Sequence, residues 1–155
     1  MQHFIVDGYN VIHSIPSLRN LLLRDAEGAR EQLIYAIARL STTRKFRCTV
    51  VFDGAAPELH RPSPHAPIHV VYSFPISADD KIKELITKAI NRTLLVVISS
   101  DREIINFAKV CSCQTHTSKH FVNLLHEDED LSTEKSDSSL SPSQIAEWLK
   151  IFGEK

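Results

Sequence analysis

Short apolar runs punctuate this chain, and between them the apolar positions fall into helical spacing. His3-Phe4-Ile5-Val6-Asp7 is a run that ends in an acid, and Cys48 to Phe52 is a second, ending at Asp53. His69 to Tyr72, Leu94 to Ile98 and a short Thr115 to Thr117 follow. Such runs, unbroken rather than alternating, predict strands covered on both faces, as in parallel sheets. Helical spacing recurs in Ala26, Ala29, Leu33, Ile37 and Leu40 behind a cap at Asp25, and in Ile82, Leu85, Ile86, Ala89 and Ile90 behind Ser77. It returns in Ile104, Ile105, Ala108 and Cys111 behind Asp101, and in Phe121, Leu124 and Leu125 of a short helix over 118–126. Gly8-Tyr9-Asn10 reads as a turn, residues 11–24 as a mixed stretch broken at Pro16, and the proline-rich residues 55–67 as an irregular loop. This alternation of strand and helix predicts a three-layer, Rossmann-like α/β fold with a mostly parallel central sheet of four to five strands flanked by helices.

Composition narrows the class without deciding it. A chain of 155 residues, 43% hydrophobic and 24% charged, fits one globular body and excludes collagen-like, coiled-coil and wholly disordered chains. The apolar run from Leu94 to Ile98, like every other in the chain, falls far short of the roughly 20 residues that span a bilayer. Asp7 follows the start too closely for a secretory signal, so a cytoplasmic protein with no membrane partner is expected. Cys48, Cys111 and Cys113 offer no paired metal-binding spacing and read as reduced thiols.

Charge is uneven along the chain. Residues 1–126 carry a net charge of +4, residues 127–137 carry −5, and the last 18 residues balance. We therefore expect a mildly basic domain over 1–126, which permits a nucleic-acid partner, and an acidic, Ser-rich linker over 127–140. Ser141-Pro142 then opens a C-terminal helix over 141–155, whose Ile145, Trp148, Leu149 and Phe152 form one stripe that must dock on the body.

The acids fall where a parallel sheet builds its site. Ligands bind beyond the carboxyl ends of such strands, and helices that follow strands begin on that same rim. Asp7 and Asp53 end strands, Asp101 follows the fourth strand, and Asp79-Asp80 open the helix after the third. Each of Asp79, Asp80 and Asp101 alone is an ordinary helix-start acid, and Asp53-Gly54 alone is a turn. Together, carboxylates from four distant segments would repel one another unless a cation relieved them. Oxygen ligands without His or Cys suit one or two Mg²⁺ or Mn²⁺ ions.

Ile5-Val6-Asp7-Gly8-Tyr9-Asn10-Val11-Ile12 resembles the opening signature of the NYN domain, a branch of the PIN-like nucleases. Phe52-Asp53-Gly54, Ser77-Ala78-Asp79-Asp80-Lys81-Ile82 and Val97-Ile98-Ser99-Ser100-Asp101 follow in the family's order, and the set is similar to the bacterial YacP-like subgroup. The resemblance implies a Rossmann-like PIN/NYN fold and a metal-dependent ribonuclease. It implies Asp7 as the primary metal ligand and Asn10 as the holder of a ligand water or phosphate oxygen. Asp80, with Asp79 beside it, becomes the second acid, and Asp101 the third. Ser100 and Asp53 become supporting residues around them. The implied partners are RNA (mRNA, tRNA or rRNA) and the ribosome.

The expected reaction is endonucleolytic hydrolysis by a water activated at the cation, leaving 5′-phosphate and 3′-hydroxyl ends, in RNA processing or mRNA decay. Tyr9, Arg61, Lys81 and Arg102 are the candidate substrate contacts, with His60 and His65 in the loop after Asp53. A non-catalytic RNA- or ribosome-binding module is the first alternative. An Asp-based phosphatase is the second, weakened because Tyr9 stands where its second acid belongs. A dinucleotide-binding domain would need a Gly-rich turn after the first strand, which is missing.

Overall fold

The structure, a computed structural model, describes residues 1–58 and 68–136. Five strands, β1 (His3–Asp7), β2 (Arg47–Phe52), β3 (Ile68–Tyr72), β4 (Leu95–Ile98) and β5 (Gln114–His116), form one sheet in the order β3-β2-β1-β4-β5. Every neighbouring pair is parallel. Among the described residues six α-helices flank the sheet: α1 (Gly8–His13), α2 (Pro16–Arg24), α3 (Ala26–Arg44), α4 (Ala78–Lys88), α5 (Arg102–Val110) and α6 (Ser118–Ser136).

Strand parity divides the core in two, because successive side chains leave a strand on opposite faces. Phe4, Val6, Val50, Phe52, Val96 and Ile98 pack with residues of α1, α2, α3 and α6. Ile5, Val51, Leu95 and Val97 pack on the other face with Ile82 and Ile86 of α4 and Ile104 and Ala108 of α5. The same parity puts Asp7, Asp53 and Ser99, each two residues beyond an Ile or Val of this second face, on the α4/α5 side. The strand order reverses beside β1, between β2 and β4, so the carboxyl end of β1 lies at the topological switch point.

Several expectations are corrected. Residues 8–13 and 16–24 are helical: α1 starts directly after β1, and Pro16 is the first residue of α2, where its missing N–H costs nothing. Helix α4 ends at Lys88, so Ile90 lies outside it and is fully exposed. Ile105 and Cys111 are only half-buried. Helix α6 does not stop at His126 but continues through the first ten residues of the stretch expected to be a linker. Phe121, Leu125 and Asp128 are all buried on one stripe, and Glu127 pairs with Arg44 of α3 at 3.8 Å, so packing and charge pairing override the acidic composition. The rest of that stretch, the expected helix over 141–155, Arg61, His60 and His65 lie outside the described residues. Among the described residues no helix is long and apolar enough to cross a membrane.

Candidate metal centre

Three carboxylates of this rim come together. Oxygens of Asp79, Asp101 and Glu103 all lie within 4.8 Å of one another. Asp101 is the N-cap of α5, its Oδ1 accepting from the Glu103 N–H at 2.8 Å, and this turn holds the two acids together. Asp79 reaches them from the first turn of α4, where the Ser77 hydroxyl caps the helix by accepting from the Asp80 N–H at 3.1 Å. Asp53 anchors that turn: its Oδ1 accepts from the Ala78 N–H at 2.9 Å, tying the end of β2 to the start of α4. It is a positioning residue rather than a member of the cluster.

Asp7 stands behind the cluster, only 8% exposed. It occupies the N-cap position of α1, but its side chain does not cap that helix. Oδ2 instead accepts from the Ser99 hydroxyl at 3.0 Å, and the Ser99 oxygen in turn accepts from the Asp101 N–H at 3.0 Å. Ser99 therefore bridges two acids with its one proton committed to Asp7. Burial first, then the charges of Asp79 and Asp101, drive the Asp7 carboxyl up to about 6 against the hydrogen bonds from Ser99 and the Asn10 backbone. Asp79 is also raised, by desolvation first and then by Asp101 and Glu103.

Asn10 is fixed just as closely. Its Oδ1 accepts from the Ser100 backbone N–H at 2.9 Å and from the Ser118 hydroxyl. A backbone N–H can only donate, so the side-chain oxygen is assigned and the amide NH₂ is what Asn10 can offer to a ligand. The Ser100 hydroxyl accepts from the Ser118 N–H at 3.3 Å, which pins the first residue of α6 to the loop after β4.

The expected site residues thus divide. Asp7, Asn10, Asp79, Asp101 and Ser100 share one connected site. Asp80 is exposed and outside the cluster: adjacent helix positions point about 100° apart, and the rotation of α4 turns Asp79 inward instead. Lys81 is half-buried and 3.6 Å from Glu84, while Arg102 is exposed at the first position of α5. Tyr9 packs inward: its ring lies 5.0 Å from that of Phe52, and its hydroxyl accepts from Arg30 at 3.0 Å. Ser99, Glu103 and Ser118 were not among the expected site residues. Strand parity with Asp7 could have flagged Ser99, and Glu103 is the natural second acid of an α5 first turn. Lys83, 2.6 Å from Glu103, adds a cation to the cluster's edge.

The donor set fits a hard divalent cation. Among the described residues it consists of carboxylate oxygens, with no nitrogen or sulfur ligand, and a desolvated acid sits among like charges behind it.

The family model for the YacP-like NYN domain matches residues 4–150. The chain belongs to this family. Two crystal structures share the YacP-type fold. Rae1 (YacP) from Bacillus subtilis is 24% identical, aligns over 99% of this chain and 94% of its own, and superposes with a TM-score of 0.74. A tryptophan-to-leucine mutant of the same protein gives 22%, 96%, 90% and 0.71. No curated protein matches the chain. Membership in the YacP-like NYN family, a branch of the PIN-like nucleases, supports a nuclease-type function directed at RNA.

Proposed function

We propose that this protein is an endoribonuclease that hydrolyses RNA phosphodiesters with Mg²⁺ or Mn²⁺ and leaves 5′-phosphate and 3′-hydroxyl ends. The observation that carries the reading is the convergence of Asp7, Asp79 and Asp101 on one face of the sheet at its switch point. In this reading Asp79, Asp101 and Glu103, with Asp7 behind them, hold the cation, and Asp79 takes the part first expected of Asp80. When bound, the cation lowers the pKa of an attacking water and neutralises charge developing on the phosphate. Ser99 keeps Asp7 and Asp101 in one arrangement through its two hydrogen bonds. Asn10, its oxygen occupied, presents NH₂ donors, which suit a phosphate oxygen better than a ligand water that needs acceptors. Arg102 adds an exposed positive charge one residue from Asp101.

Ribosomal presentation of the RNA and a cytoplasmic location belong to the same proposal and rest on the family likeness. The test is cleavage of single-stranded and structured RNA by the purified protein with Mg²⁺, Mn²⁺ or EDTA, with and without ribosomes. Metal-dependent cleavage, lost in a folded Asp7→Asn variant, is expected. Cleavage that survives both EDTA and Asp7→Asn, or products ending in 2′,3′-cyclic phosphate, contradicts the mechanism.

A further inference from the structure

Two histidines stand at the rim of the site without entering the carboxylate cluster. His116 ends β5, and its carbonyl accepts from the Ser99 N–H at 3.2 Å, which sets the end of β5 level with the serine that holds Asp7. His120 lies in the first turn of α6, shortly after Ser118, whose hydroxyl donates to Asn10. The two rings stack, with centroids 4.6 Å apart and planes 28° from parallel. His116 is half-buried and His120 exposed, so the pair reaches solvent on the side of the site where Asn10 is fixed.

The fold does not use these rings as hydrogen-bonding groups. Thr117 caps the first turn of α6, its Oγ1 accepting from the His120 N–H at 3.1 Å, and the buried Phe121 anchors the helix. Among the described residues neither imidazole makes a hydrogen bond or pairs with an acid. Burial first, and then the neighbouring His120, hold the His116 imidazole below its usual range, so this ring is neutral at pH 7. A neutral flat ring offers a π-face rather than a charge, and unpaired RNA bases stack on histidine as on other aromatic side chains. Lys119, exposed on the same turn of α6, supplies a positive charge for the RNA backbone.

We propose that the stacked His116–His120 pair is a base-binding subsite: the base of an unpaired nucleotide, beside the phosphate held at Asn10, extends the stack on the ring of His120. This inference takes its substrate class, RNA, from the ribonuclease reading above.

The test reads binding apart from cleavage. A single-stranded RNA carrying 2-aminopurine is titrated with the full chain bearing Asp7→Asn, and quenching of the 2-aminopurine fluorescence reports stacking. His120→Ala in that background should weaken binding about tenfold and remove most of the quenching. His120→Phe keeps a flat ring without its N–H and should retain both. His120→Gln keeps a polar group without the ring and should behave like alanine. His120 is exposed, so all three variants should keep the far-UV circular dichroism of the parent. In the protein with Asp7 intact, His120→Ala should raise KM about tenfold with little change in kcat. Affinity and quenching unmoved by His120→Ala overturn the proposal even where metal-dependent cleavage is observed. Rescue by glutamine and not by phenylalanine also overturns it, in favour of a hydrogen bond to phosphate, as does an absence of RNA binding. Ring-dependent binding by a protein that cleaves no RNA with any divalent metal would sink the ribonuclease reading and uphold the subsite.

Discussion

The two ends of the central sheet are built on opposite terms. At the end where the strands begin, Phe4 stacks on Phe46 at 4.1 Å and meets Phe121 at 6.1 Å, and all three rings are buried. At the other end Asp7 is buried among like charges, and its carboxyl is raised to about 6. Hydrogen bonds from Ser99 and to Asn10 satisfy geometry at that end without removing the charge. The same five strands thus carry stabilising contacts at one end and electrostatic strain at the other. A site of this kind is relieved by its ligand rather than by the fold, the common trade between stability and activity.

Substitutions at the two ends should therefore differ in sign. Phe46→Ala removes the stacked ring and should cost about 3–5 kcal/mol in urea unfolding, while leaving cation binding in the protein that remains folded. Asp7→Asn should act in the opposite direction in EDTA at pH 7 and stabilise by up to about 3 kcal/mol, the worth of its raised pKa. The pH dependence follows the same sign. The folded state holds the Asp7 proton more tightly than the unfolded chain, so its contribution to metal-free stability rises as pH falls from about 6 towards 4. Asp7→Asn should flatten that part of the stability profile. A stability loss on Asp7→Asn would break the comparison.

Gly8 sits at the junction of the two kinds of environment, one residue after Asp7. A Cβ there would lie 2.4 Å from Cε1 of Phe52 and 3.1 Å from Cγ1 of Val50. Gly8→Ala should cost about 1–3 kcal/mol by overpacking, read in the same urea titration. The smallest effect belongs to neither end. Glu127→Ala breaks an exposed 3.8 Å pair with Arg44 and should change stability by less than about 1 kcal/mol.

Much of this was legible because apolar runs stop at acids. A buried parallel strand needs an unbroken run, and its carboxyl end marks the rim, which puts Asp7, Asp53 and Asp101 there. Residues 8–24 resisted because Gly8 and Pro16 punctuate helix starts as readily as they break helices. Helical spacing does separate Asp79 from Asp80, a signal the family order obscured: Asp79 lies three and seven residues before the inward Ile82 and Ile86, and Asp80 is off that stripe. Which of two neighbouring helix residues faces the cluster depends on how Ile82 and Ile86 seat α4 against the sheet. Ser118 was invisible for a different reason. It lies 108 residues from Asn10, and only the pairing of β5 beside β4 brings the start of α6 to the site. The acidic composition of 127–136 concealed a helix whose buried stripe continues through Asp128.

Thermal unfolding with and without Mn²⁺ tests the cation site most directly, because a ligand that binds only the folded state raises its stability by about 2.7 kcal/mol at a hundredfold excess over Kd. The account predicts a rise of several degrees in the unaltered protein and in Asp80→Asn, and none in Asp79→Asn or Asp101→Asn. No rise in the unaltered protein, or a rise lost in Asp80→Asn and kept in Asp79→Asn, would contradict it.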